Sequence, residues 1–500
     1  MKVNILYFNE NNIVNKSGSA KDKFIRDLKL DLILDAIAED DTYLRTLFKK
    51  IFLNPSVNED EINNRQEILR EAMHYPQFFK EAYQLSTEAI SNTNICSETS
   101  HPRYNKMIPV SKKVLTQSEI ASINLRHLGL FNHLMSDYIN SFSSPYLNEF
   151  ITMTLKNYTR DFLQKADELL NELLDLKFHS EIVIGGHPGF GLKLREVRLH
   201  TISNSEKITE KTKYPKKGNE DAIILLDNQT LINNSEEITN SCLVWILKTL
   251  SDFNNEANNF FETVREMFGF YSGGVNLFNK ITKAGEAVCF PEFISVKGYE
   301  FTGLKDIGLI LKKEAAVIGN SVSFSGKNLC IITGANQGGK TTFLRSIGLG
   351  QLMAQCGLFV TASSFSCYRY SGIFTHFPDE EDRELKTGLL EQELHRLHDL
   401  IPHMKKDSLL LMNETFSTTT EYDASYLAEQ ITAAFRSCGL LTIFVTHLYQ
   451  FAHKLYTEAP KDCIFFRANR NSDGSRTFTL ETGEPVKSSY ALDLYHEILG

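Results

Sequence analysis

The segment "CIITGANQGGKTTFLRSIGLGQLM", Cys330 to Met353, constrains this chain more than any other. It contains G-x-x-x-x-G-K-T between an apolar run and a helical pattern, the strand–loop–helix setting that this motif needs. Glycines let backbone N–H groups converge on phosphate oxygens without Cβ clashes. A helix beginning near Gly339 points its positive end at the same oxygens. Gly334, Asn336, Gly338, Gly339 and Thr342 are therefore candidate phosphate contacts. Lys340 is expected to reach the β- and γ-phosphates of ATP, and the Thr341 hydroxyl to ligate Mg²⁺.

The second half of such a site is expected at the end of another strand. "SLLLMNETFSTTTEYDA", Ser408 to Ala424, supplies four apolar residues that lead into Asn413 and Glu414. An aspartate at the first position would hold Mg²⁺ directly or through water, and the following acid would orient or deprotonate the attacking water. Glu414 is thus the catalytic candidate. Asn413 has the shape of Asp and can accept a hydrogen bond from a metal-bound water, but it brings no charge. That weakens Mg²⁺ affinity and slows turnover without abolishing either. His447 closes "LTIFVTH", and strand C-termini of open α/β sheets converge on the ligand crevice. It is the second catalytic candidate, placed to contact a γ-phosphate or the water.

Composition sets the frame around this site. The 500 residues suffice for two to four domains. A net charge of -9 excludes a generic polyanion binder, so any nucleic-acid contact must be local. The eight scattered cysteines form no CxxC or Cys/His cluster and read as free thiols of a reducing cytoplasm. The start turns polar too soon for a secretory signal, and "GLLTIFVTHLYQF" is too short and polar to span a bilayer.

The expected fold class is α/β, with a P-loop domain after a mostly helical region that carries a small β-rich insertion. Residues 1–114 read as a helical core, with "DLKLDLILDAI" (Asp27 to Ile37) at helical spacing and a break at Asn54–Pro55. Residues 115–179 continue as helices, interrupted near "SFSSPY". Residues 180–235 are β-rich around a lysine-rich connection, and helices return over 236–297, with patterning visible from about Ile238. Over 298–500 apolar strands alternate with helices, an α/β nucleotide-binding grammar.

These residues together resemble the ATPase domain of the MutS family of DNA mismatch-repair proteins, which is built like the ABC ATPases. "NETFSTTTEYDA" is similar to that family's Walker B segment and D-loop, with Thr419 and Asp423 at matching places. "VTHLYQF" matches the switch-histidine segment, and "FTHFPDEEDRELKTGLLEQEL" occupies the place of the signature loop. "VIGN" places Val317 and Asn320 where the family borders the adenine, and "VKSSYALDL" resembles the closing helix start. Upstream, "NPSVNEDEINNRQEIL" looks like the helical core, the long helices like the lever arm, and the β-insertion like the clamp. In that frame Lys207, Lys211, Lys213, Lys216 and Lys217 either face nucleic acid or form an ordinary solvated loop.

The departures from the family pattern shape what the resemblance implies. The "GxFYE" mismatch-reading domain is expected to be absent, the Phe8-Asn9-Glu10 triplet being a chance match, and no C-terminal nuclease extension is expected. Lys386-Thr387-Gly388 stand where the family has Ser-Thr-Phe, whose serine reaches the partner subunit's γ-phosphate. Lys386 either supplies a cationic contact there or is simply exposed. Val317 replaces an aromatic that stacks on adenine in some relatives. The leading expectation is a homodimeric ATPase that couples ATP to holding mismatched, branched or otherwise non-B DNA in repair or recombination. Two alternatives stand beside it: an ATP-dependent scaffold with little hydrolysis, and an ATPase acting on ribosomes or RNA.

Overall fold

Several helix starts are set by side chains that accept the backbone N–H groups left open in a first turn. Asp41 accepts from Tyr43 N (2.9 Å) and Leu44 N (3.1 Å) and opens the helix Thr42–Leu53. Asn58 opens Glu59–His74 by accepting from Glu61 N. Ser144 opens Pro145–Asn157, with the proline in the first turn where its missing N–H costs nothing. The run Asp27–Ile37, expected as one helix, is divided: Gly18–Asp27 ends, Lys29 takes a left-handed φ of 52°, and Leu30–Ala38 begins. The turn buries Leu28 completely, beside Gly348 of the P-loop helix. Tertiary burial here overrides the helical spacing.

The computed structural model describes residues 4–7, 18–100, 110–175, 183–188, 194–200, 228–312, 316–335, 337–378, 388–470 and 476–486. The chain divides into two units, one containing Lys80–Phe268 and the other Asn4–Phe79 with Gly269–Gly500.

The described residues of the first unit are mostly helical. Val110–Asp137, Pro145–Asn157 and Arg160–Asp175 follow one another, and the long helix Asn228–Lys283 contributes its residues up to Phe268. Phe131 meets Phe150, Phe260 and Phe268, with ring centroids 5.6 to 6.5 Å apart and near-perpendicular planes. The strands β1 (Val183–Pro188) and β2 (Leu194–His200) pair antiparallel as a hairpin, inside the segment where a β-rich insertion was expected. The long helix starts at Asn228, earlier than the apolar spacing visible from Ile238, because its first turns are polar and asparagine-rich.

The second unit holds two sheets. The first has the order β3 (Glu292–Ile294), β7 (Ser364–Tyr368), β4 (Gly298–Leu304) and β5 (Asn320–Ser325). The other has the order β12 (Arg476–Thr482), β11 (Cys463–Arg470), β6 (Leu329–Thr333), β10 (Leu441–Val445), β9 (Leu409–Asn413) and β8 (Ile373–His376). Its strands run parallel except for the edge strand β12. β6, β9 and β10 are buried at every position, as expected of strands covered on both faces. The helix Lys340–Cys356 packs closely: a Cβ at Gly348 would lie 2.5 Å from Leu411 of β9, and one at Gly350 would lie 2.9 Å from Phe365 of β7. The helix is thus held between the two sheets, with its N-terminus at the end of β6. Among the described residues no helix is long and apolar enough to cross a membrane, and the seven described cysteines are free.

Candidate nucleotide site

The loop after β6 places a lysine under the phosphate-binding turn. Gly339 caps the helix Lys340–Cys356 with φ 87°, a conformation that a side chain would strain. Lys340 is 4% exposed. Its Nζ donates to Gly334 O (2.8 Å) and Ala335 O (2.9 Å) and lies 3.5 Å from His447 Nε2. Burial pulls its pKa down from 10.5 to about 8, and Glu414 acts in the opposite direction. The ammonium is therefore poorly solvated and suited to pairing with an anion.

Three parallel strands bring the other candidates to the same place. β10 lies between β6 and β9, and Thr446 N donates to Ile332 O (3.0 Å) while Glu414 N donates to Val445 O (2.8 Å). These bonds align the strand ends, so that Thr341 Oγ1 donates to Asn413 Oδ1 at 3.0 Å. Glu414 Oε1 lies 3.3 Å from His447 Nε2. The hydrogen bond with His447 is the main cause that holds the Glu414 carboxyl below its ordinary range; desolvation opposes it, and the His447 and Lys340 charges add to it. Glu414 and Phe416 both adopt left-handed backbone, φ 48° and 67°. Such positions cost about 1–3 kcal/mol each for non-glycine residues and tend to occur where a side chain must be aimed.

The donor set suits Mg²⁺ chemically. Thr341 and Asn413 present oxygen atoms, which hard divalent ions prefer. Both are neutral, so a bound ion would draw its negative partners chiefly from nucleotide phosphates.

A cavity of about 390 Å³ opens beside the loop, lined among others by Val317, Asn320, Gly339, Thr341, Glu414 and Phe478. Phe478, on β12, was not anticipated from the sequence. The residue is 45% exposed and its backbone is left-handed, φ 56°. Asn320 fixes this strand: its Nδ2 donates to Phe478 O (3.2 Å) and its Oδ1 accepts from Leu480 N (2.8 Å). So Asn320 lies at the cavity, but its amide is committed to β12. Val317 supplies no ring, while Phe478 brings one to the same cavity from the sheet edge. A short alternating run, "RTFTL", was the only sequence signal for it.

Of the remaining candidates, two line this cavity, and the others lie apart from the cluster or outside the described residues. Gly388 is exposed and precedes the helix Leu389–Leu400. Thr420 caps the helix Glu421–Ser437 and donates to Asp423 Oδ2 at 2.8 Å, leaving Asp423 exposed beside the half-buried Thr419. Gly338 and Thr342 line the cavity. Asn336, Lys386, Thr387, Lys207, Lys211, Lys213, Lys216, Lys217 and the Phe8-Asn9-Glu10 triplet lie outside the described residues.

Comparison with known proteins points to the MutS family. A model of MutS domain V matches residues 330–494, and a model of the MutS2 N-terminal domain matches residues 57–284. The DNA mismatch repair protein MutS of Streptococcus equi subsp. equi (strain 4047) is 32% identical over 178 residues, 35% of this chain and 21% of that protein. MutS protein homolog 4 of Mus musculus is 29% identical over 189 residues, 36% of this chain and 20% of that protein. The chain thus matches about a fifth of the length of these curated relatives.

Proposed function

We propose, from the premise that this chain belongs to the MutS family, that it binds ATP at the Gly334–Thr342 loop, hydrolyses it slowly, and couples the nucleotide state to holding DNA. The observation that carries the proposal is the convergence of Lys340, Thr341, Asn413, Glu414 and His447 at adjoining strand ends. The loop N–H groups and Lys340 bind the phosphates, exchanging the Gly334 and Ala335 carbonyls for phosphate oxygens at Nζ. Phe478 and Val317 flank the base. Thr341, and Asn413 through a bound water, would hold Mg²⁺, which would supply positive charge against the phosphates. Glu414 orients the attacking water and accepts its proton; the hydrogen bond with His447 favours its ionised form. His447 holds the carboxylate in place through their 3.3 Å contact.

Two copies would complete each other's sites, in accord with the exposed Gly388 and Asp423. The helices within 115–175 and the long helix Asn228–Lys283 would act as levers, and the 180–235 segment, with its β1–β2 hairpin, would be clamp-like. The relatives named for DNA mismatch repair support DNA as the bound partner. A second reading rests on Asn413: a neutral oxygen at the metal position favours a protein that holds ATP with little turnover.

The experiment is a comparison of homoduplex, mismatched duplex, four-way junction, single strand and ribosomes as stimulators of ATP hydrolysis and as ligands. A branched or mismatched DNA is expected to bind best with ATP present. Binding to no DNA form, or to ribosomes alone, refutes the DNA assignment.

A further inference from the structure

The loop that carries Glu414 has a second anchor that the reaction chemistry does not use. Glu414 and Phe416 both sit in left-handed backbone, and Phe416 is fully buried. A strained loop of this kind keeps its shape only if its surroundings over-determine it. Glu393, on the helix Leu389–Leu400, is 3% exposed, and its Oε2 accepts from Phe416 N at 3.0 Å. The backbone carbonyl of the same Glu393 lies 3.1 Å from His376 Nε2, and His376 Nδ1 lies 3.1 Å from Thr415 Oγ1. His376 ends β8 and is 2% exposed. The two residues that follow Glu414 are therefore both tied to one helical turn, one directly and one through an imidazole. That helix begins at the exposed Gly388, with Gln392 N donating to Gly388 O at 3.2 Å.

We infer that Glu393 is a positioning residue: its carboxylate, with His376, fixes the Glu414 backbone and makes the helix that starts at Gly388 and the water-orienting carboxylate move as one body. The physical ground is that a buried backbone N–H needs an acceptor, and leaving it without one costs the full desolvation of the group. Here that acceptor is carried by a different element from the one carrying the reactive group. A shift at the Gly388 end is thus felt at Glu414 without any contact to nucleotide. The inference rests on Glu414 acting in hydrolysis, as proposed above.

The test compares Glu393→Ala, which removes the acceptor, with Glu393→Gln, which keeps an amide oxygen that can accept from Phe416 N. ATP binding without hydrolysis, single-turnover hydrolysis and amide exchange at Phe416 are measured on the full chain. Displacements near 1 Å can cost about 100-fold in rate. Glu393→Ala should therefore lower kcat by roughly 10- to 100-fold, with the ATP Kd changed by less than about threefold. Phe416 exchange should quicken, and Glu393→Gln should restore most of the rate. Equal rates for the wild type and Glu393→Ala overturn the inference, as does an equal loss in kcat and affinity that Gln fails to rescue. If the wild type itself does not hydrolyse ATP, the hydrolytic reading falls and this inference falls with it. The wild-type arm separates that failure from the other two.

Discussion

Replacing Asn413 by aspartate should change the magnesium dependence more than the nucleotide dependence. Asn413 Oδ1 lies 3.0 Å from Thr341 Oγ1, and its side chain is 7% exposed. In Asn413→Asp the same oxygen position becomes part of a carboxylate. Two unit charges 4 Å apart attract with about 4 kcal/mol at an effective dielectric of 20, before desolvation is charged against them. Desolvation of a nearly buried carboxylate consumes much of this. The measured worth of hydrogen bonds to charged groups, about 1.5–3 kcal/mol, is the better guide to the net gain. That corresponds to roughly a 10- to 150-fold lower Mg²⁺ concentration at half-maximal ATP binding. The assay is a Mg²⁺ titration of fluorescent-ATP binding, run with thermal melting of the protein without nucleotide. Without Mg²⁺ the variant should melt below the wild type, since an uncompensated charge is then buried, and Mg²⁺ with ATP should reverse the order. A Mg²⁺ requirement that is unchanged or higher would show that Asn413 lies outside the metal's surroundings.

Two further outcomes follow from the same geometry. Lys340 loses its charge as pH rises through about 8, and bound phosphates favour the charged form, so Lys340 should take up protons on ATP binding near pH 8.5 and not near pH 6.5. Calorimetry in buffers of different ionisation enthalpy reads this uptake, and Lys340→Met should abolish it. Phe478→Ala should weaken ATP binding by roughly 5- to 150-fold, the value of one base–aromatic stack, and leave pyrophosphate binding unchanged. An equal loss for both ligands would mean that the ring supports the loop and not the base.

The site was legible wherever its chemistry is local in the chain. Gly334 to Thr342 carry strand, turn and helix within one segment, and Glu414 and His447 each end an apolar run. Their convergence follows from parallel pairing of β6, β10 and β9, for which strand-end position is a fair guide. Phe478 was hidden because its approach depends on antiparallel pairing at the sheet edge, held by Asn320 from another sheet. Glu393 and His376 were hidden too, since a buried carboxylate and a buried imidazole look like surface residues in a linear pattern. The break at Lys29 and the early start of the Asn228 helix arise from packing and from polar composition, neither of which periodicity reports.

The most direct test of the account is single-turnover ATP hydrolysis by the wild type and by Glu414→Gln, with ATP binding measured in parallel. The wild type should hydrolyse ATP slowly but measurably, both proteins should bind ATP equally, and the variant's rate should be lower by about 100-fold or more, as the loss of a general base requires. A rate that Glu414→Gln leaves unchanged would contradict that role of Glu414.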